Sequence, residues 1–263
     1  MGHRLSPLRE IVSVTDGEGR AEARFPCYDG QFSSTVCADG FYEERSGDVL
    51  FRRANDGVVV EHLLEHHRDV PIVLRRRINP IPMFRHRIRM RIPASSGRFG
   101  FDLKKGDWIA PHGDGEIADF WLLYEEVRTN SSYRSRGIFE FTGKFNGAYV
   151  QKKNPCKSFS FVYAADTNAT YNGTLDFYAW EKNASMYRES LLVGNESFLV
   201  VRSRASQDAN GRLLSCHYSL VGGCIYATER EFHLDVSFFN PTPNDTNLEF
   251  DEKRNLAPRR RKR

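Results

Sequence analysis

A chain of 263 residues that is 40% hydrophobic, 27% charged and 13% aromatic can bury a full core without disulfide or metal staples. No apolar run approaches the roughly 20 residues that a membrane-spanning helix requires, and Met1 to Glu10 hold no apolar signal-peptide core, so no export route is expected at this end. The net charge is +4, and recognition-helix, zinc-finger and RNP-like patterns are absent, which argues against nucleic acid as a partner.

In chain order, residues 1–80 read as a mixed N-terminal region. Turn signals stand at Asp16-Gly17, Asp29-Gly30, Asp39-Gly40 and Asp56-Gly57, and strands are expected near 49–53 and 58–61. A short helix is expected over 61–68, and it contains His62-Leu63-Leu64-Glu65-His66. On a helix His62 and His66 share a face and can hold Zn²⁺ while Glu65 activates a bound water. The string resembles the inverted zinc-peptidase motif of the pitrilysin family. That resemblance implies a third ligand, for which Glu140 stands at a plausible spacing. The other reading of the five residues is an amphipathic turn that buries Leu63 and Leu64. Asn79-Pro80-Ile81-Pro82 then interrupts the chain, because proline offers no donor and biases its predecessor toward extended backbone.

Residues 81–256 are expected to form an all-β domain, an antiparallel β-sandwich of jelly-roll type. Of 33 aromatic residues, 22 lie between residues 118 and 239, mostly in short runs where apolar and polar side chains alternate. Strands are expected at 85–92, 118–127, 137–145, 158–164, 174–180, 197–204, 212–220 and 224–239, a recurrence that favours a sandwich over any βαβ architecture. In the first of these Arg85, Arg87, Arg89 and Arg91 share one face, at roughly 7 Å spacing. They form either a solvated face paired with acids across the sheet or a groove for a sulfated, carboxylated or phosphorylated polymer.

The glycine-rich stretch from Gly106 to Asp119 reads as a loop. Within it Trp108 is a candidate for stacking on a sugar ring, partly exposed in a concave surface. His112, Asp114 and Glu116 are candidates for bonding hydroxyls or for coordinating Ca²⁺. Trp108 as a core anchor is the competing expectation. Farther on, His233 and Asp235 share one strand face and His217 lies in the preceding run with Ser215 and Ser219. If the two strands bring them together, they form a His/His/Asp cluster fit for proton transfer. Residues 240–247 read as an ordered polar loop or a cap on the sandwich, and 257–263 as a disordered basic tail.

Charge is unevenly distributed. Residues 75–105 hold ten Lys or Arg against one acid, a net of +9, and the last five residues add +5, which leaves −10 on the remainder. Such a basic region is a footprint for a polyanion. Five cysteines without a CxxC pair read as buried thiols, although Cys216 and Cys224 could meet across a hairpin. Six N-x-S/T sequons, at Asn130, Asn168, Asn172, Asn183, Asn195 and Asn244, exceed the about one or two expected by chance. They fit an extracellular glycosylated surface, or simply turn residues. Two functions follow: a non-catalytic sandwich that binds carbohydrate, including acidic glycan, or a hydrolase or lyase of glycans or peptides. A structural or assembly protein is the third.

Overall fold

The computed structural model describes residues 14, 31–42, 44–49, 53–54, 57–58, 74–152, 162–183, 187–193 and 197–258. The chain divides into two units, Met1–Arg76 and Arg77–Arg263. In the first, β1 (Gln31–Val36) pairs antiparallel with β2 (Glu44–Val49), and β3 (Arg53–Ala54) with β4 (Gly57–Val58). Tyr42 is buried there, and its N–H donates to the Arg75 carbonyl at 2.8 Å. The expected helix over 61–68 lies outside the described residues.

The second unit is an antiparallel-rich β-sandwich, with no helix among its described residues. Sheet I holds β10 (Gly147–Lys152), β13 (Ser197–Gln207), β14 (Leu213–Thr228), β15 (Glu231–Phe239), β5 (Ile81–Arg91) and β16 (Phe250–Asn255), in that order. Sheet II holds β12 (Tyr187–Leu191), β11 (Thr174–Asn183), β9 (Ser132–Glu140), β8 (Phe120–Arg128), β6 (Ser96–Asp102) and β7 (Asp107–Trp108). Among these strands every pairing in the described residues is antiparallel except that of β16 with β5.

The aromatic alternation fills the space between the sheets. Phe101, Phe120, Phe139, Phe177 and Phe232 are all at most 2% exposed, and Phe139 stacks on Phe177 at 3.9 Å between ring centroids. β9 shows the period of two plainly: Tyr133, Ser135, Gly137 and Phe139 are buried, while Arg134 and Arg136 are exposed. The pattern fails in β13, where Phe198, Leu199, Val200 and Val201 are all buried. Leu199 and Val201 enter the inter-sheet core, whereas Phe198 and Val200 join Tyr218, Leu220, Phe238, Leu248 and Phe250 in a second apolar cluster. Sheet I is therefore covered on both faces over this stretch, and a doubly covered strand has no polar side to alternate.

Several boundaries differ from expectation. The expected runs 212–220 and 224–239 regroup as β14 and β15, divided by Glu229 and Arg230 with φ of 50° and 58°. Two successive positive φ values make the tight hairpin turn that matches strand twist. Glu-Arg carries none of the Gly or Asn that ordinarily marks such a turn, and Arg230 N–H is held by the Glu126 carboxylate at 3.0 Å. Cys216 and Cys224 consequently lie eight residues apart on the same strand, so no hairpin joins them; Cys216 is a buried thiol as expected, but Cys224 is half-buried and Cys37 is exposed. β6, β10, β12 and β16 were not expected, and β9 ends at Glu140 rather than near residue 145. Of the expected strand 158–164, the described part contributes a single bridge, Ala164 to Asn247. The loop 240–247 is ordered as expected. Asn240 is fully buried and donates to the Asp245 and Asn247 carbonyls at 3.0 and 2.8 Å, but β16 follows, so the loop does not end the last strand.

Candidate functional site

The loop between β6 and β8 is held from beneath by buried carboxylates. Asp102 Oδ2 accepts the backbone N–H groups of Glu116 and Ile117 at 3.0 and 3.2 Å, and Asp119 Oδ2 accepts that of Leu103 at 2.7 Å. Arg204 bonds both carboxylates, at 2.7 Å to Asp102 and 2.8 Å to Asp119. Burial alone would raise the Asp102 pKa, but the N–H groups of Glu116 and Lys105, the Arg204 guanidinium and Ile117 N–H together hold it below its usual value.

This anchoring corrects the stacking role expected of Trp108. Its indole is 3% exposed, packs on Phe99, Phe101 and Phe232, and donates Nε1–H to the Arg91 carbonyl at 3.0 Å. The ring is a core anchor that closes the sandwich between β7 and β5, with no face left for a sugar. His112, Asp114 and Glu116 are exposed on the loop. His112 meets Phe99 edge-on at 5.6 Å and Glu116 is paired with Lys105 at 2.9 Å. No group of three or more metal-ligating side chains occurs among the described residues, so the loop does not assemble the expected Ca²⁺ set. Gly113 is required where the loop doubles back, since a Cβ there would sit 2.5 Å from the Trp108 carbonyl oxygen.

The four arginines of β5 share a face as expected, but they do not act as one surface. Arg85 is half-buried, 5.9 and 5.8 Å from the Phe238 and Phe250 ring centroids. Arg89 is paired with Glu231 at 3.0 Å, while Arg87 and Arg91 are exposed.

The His/His/Asp cluster does not form. β14 and β15 pair, yet the register puts His233 opposite Tyr226, nine residues from His217, a separation of roughly 25–30 Å along the strand. His217 stacks on Phe239 and Nδ1 donates to the Asn240 carbonyl at 3.1 Å. His233 stacks on Tyr226 with centroids 4.6 Å apart, and its burial lowers its pKa in spite of Asp235 and Glu231. Asp235 lies over the bulge glycine Gly223. Of the zinc candidates, His62, Glu65 and His66 lie outside the described residues, and Glu140 accepts a bond from Arg98 at 2.7 Å.

A different surface gathers polar side chains: the outer face of sheet II. Register places Glu125, Arg136, Ala179 and Ser190 in one row across β8, β9, β11 and β12, and Val127, Arg134, Glu181 and Arg188 in the next. The small Ala179 lies low between longer neighbours, and the result is an open groove of about 420 Å³ lined by the first row and by Arg134, Glu181 and Arg188 of the second. A second hollow of about 400 Å³, under the β8–β9 turn with Lys182 and Asn183, shares Trp180 with it. Arg136 is committed to Asp176, whereas Arg134 and Arg188 have no ion pair among the described residues. Farther along the same face Trp121 is half-buried beneath Arg98, 3.9 Å from its ring centroid.

None of these groove residues stood out in the sequence. Arg188 lies some fifty residues beyond Arg134 and Arg136, and only cross-strand register makes it their neighbour. The one local signal was the period-two spacing of Arg134 and Arg136.

No protein-family model matches the chain, and comparison with curated proteins and with solved structures returns no significant match.

Proposed function

We propose that the protein is a non-catalytic β-sandwich that binds an acidic carbohydrate chain across the outer face of sheet II. The supporting observation is the groove of about 420 Å³ with Arg134 and Arg188 exposed along it. This volume falls in the usual range for small-ligand sites. Exposed guanidiniums offer planar paired donors to carboxylate or sulfate, and Glu125 and Glu181 offer acceptors to sugar hydroxyls. The second hollow adjoining at Trp180 suits an extended ligand better than a single ring.

Glu125 and Glu181 stand two strands and two residues apart, with Arg136 between them.

Calorimetric titration with uronate-containing and sulfated oligosaccharides, beside neutral ones of equal length, tests this reading. Acidic ligands are expected to bind more tightly and to lose affinity as salt rises. Arg134→Gln with Arg188→Gln is expected to weaken binding by about tenfold or more, because each removes a charge-assisted bond. Unchanged affinity in that double variant, or no binding of any oligosaccharide, refutes the proposal.

A further inference from the structure

β5 has eleven residues, but strands flank only part of it on both sides. β15 runs beside it from Phe84 to Arg91, while β16 meets it at Ile81 and Met83 alone. Asn255 extends that cover by one residue, accepting from Arg85 N–H at 2.9 Å and donating to the Arg85 carbonyl at 3.3 Å. Backbone polar groups of a strand point to its two sides alternately. The bonds of Arg85 with Asn255 and of the Met83 carbonyl with Leu256 N–H put the odd-numbered residues on the β16 side. Ile92 N–H, bonded to the Arg230 carbonyl, puts the even-numbered ones on the β15 side.

This parity persists along β5, because the register shift between Leu234 and Ser237 places the extra residue in β15. The N–H and C=O groups of Arg87 and Arg89, and the N–H of Arg91, therefore face away from β15. No strand lies beside them among the described residues. The Arg91 carbonyl is already taken by the Trp108 indole, which ends the open edge at that point.

We infer that residues 87–91 of β5 are a docking edge for an extended acidic peptide segment of a partner protein, which adds as a further strand of sheet I. Main-chain bonds supply the attachment, and alternate side chains supply the choice of partner. An added strand lies about 4.8 Å away, with its own alternate side chains at roughly 7 Å intervals. Three guanidiniums stand at that interval on the outer face. Arg87 and Arg91 have no acid paired with them among the described residues, and Arg89, 73% exposed in its side chain, has Glu231 alone. Carboxylates at every second position of the incoming strand complement that row, and lysines there would be repelled by it. Open edges are commonly blunted by proline, a bulge or charged side chains. β5 has no proline or bulge over this half, and its arginines oppose basic strands while leaving the backbone straight enough for an acidic one to pair. The site is on the opposite sheet from the groove and does not depend on it.

The test uses the full chain and a short fluorescent peptide in which glutamate alternates with threonine and valine. Saturable binding is expected, with amide hydrogen exchange at Arg87 and Arg89 slowed about tenfold or more at saturation. Exchange at Ile88 and Met90, which already face β15, is expected to stay the same. N-methylating alternate peptide amides is expected to abolish binding in one register and spare it in the other. Arg87→Glu with Arg91→Glu, both on exposed side chains, is expected to weaken binding about tenfold or more while leaving the thermal transition in place. Equal binding by both N-methylated peptides assigns the arginines to charge attraction alone and overturns strand addition. Unaltered exchange at Arg87 and Arg89, or no binding at all, does the same. Protection of those amides in a self-associated protein without peptide overturns the choice of partner in favour of a second copy.

Discussion

Arg204→Met is expected to cost about 3–5 kcal/mol of unfolding free energy at neutral pH, the usual penalty for stranding buried charge. Arg204 bridges Asp102 and Asp119, which are 1% and 2% exposed, and Ser203 Oγ donates to Asp119 at 2.6 Å. Methionine keeps an unbranched apolar stem and deletes the guanidinium, with its bonds to both carboxylates and its contact 4.6 Å from the Phe239 ring centroid. Arg204 has φ of 53°, so Arg204→Gly relieves left-handed strain of about 1–2 kcal/mol. That variant should lose less than its missing bonds alone would imply.

The pH dependence has a definite sign. The folded pKa of Asp102 lies below its ordinary value of 3.8. Its contribution is therefore complete above that value and is lost as pH falls through the depressed folded pKa. In Arg204→Met the positive neighbour is gone and Asp102 titrates at higher pH, so the penalty of the substitution should shrink between neutral pH and pH of about 3. Urea unfolding of both proteins across that window measures it. A penalty that is absent at neutral pH, or that grows toward acid, contradicts the arrangement.

Phe232→Ala should lose a similar amount, about 3–5 kcal/mol. Phe232 is fully buried at the meeting point of the two sheets, with ring contacts to Phe101, Trp108, Phe120, Phe139 and Phe177. No rearrangement of one neighbour can fill the space, because five rings from five strands of sheet II converge on it. Phe238 lies in the second cluster, 8% exposed and with one ring partner besides Arg85. Phe238→Ala should cost less, and equal losses in thermal unfolding would mean that the two clusters carry equal weight.

The alternation of small segments made much of this fold legible. Arg87, Arg89 and Arg91 on one face of β5, opposite His86, Ile88 and Ile92, are where a period of two puts them. So are the inward Phe139 and Phe232. Alternation failed where its physical premise failed: in β13, covered on both faces, and at the Glu229-Arg230 turn, which is stabilised by Glu126 from another strand. Trp108 shows the same limit. Its loop composition reads equally well as a binding platform or as an anchor, and the difference is one hydrogen bond to Arg91 and three aromatic neighbours.

The candidate surfaces divide in the same way. Period and composition determined, from the sequence alone, an all-β main domain with an aromatic interior and an arginine-bearing strand, because those follow from the local geometry of a single extended segment. Which strands became neighbours, and in what register, was decided only by the tertiary structure. That pairing separated His217 from His233, gathered Arg134, Glu181 and Arg188 into one row, and left the edge of β5 away from β15 open over residues 87–91 among the described residues. The physical reason is that register is set by packing between sheets, where shifting a strand by one residue would exchange its buried and exposed faces.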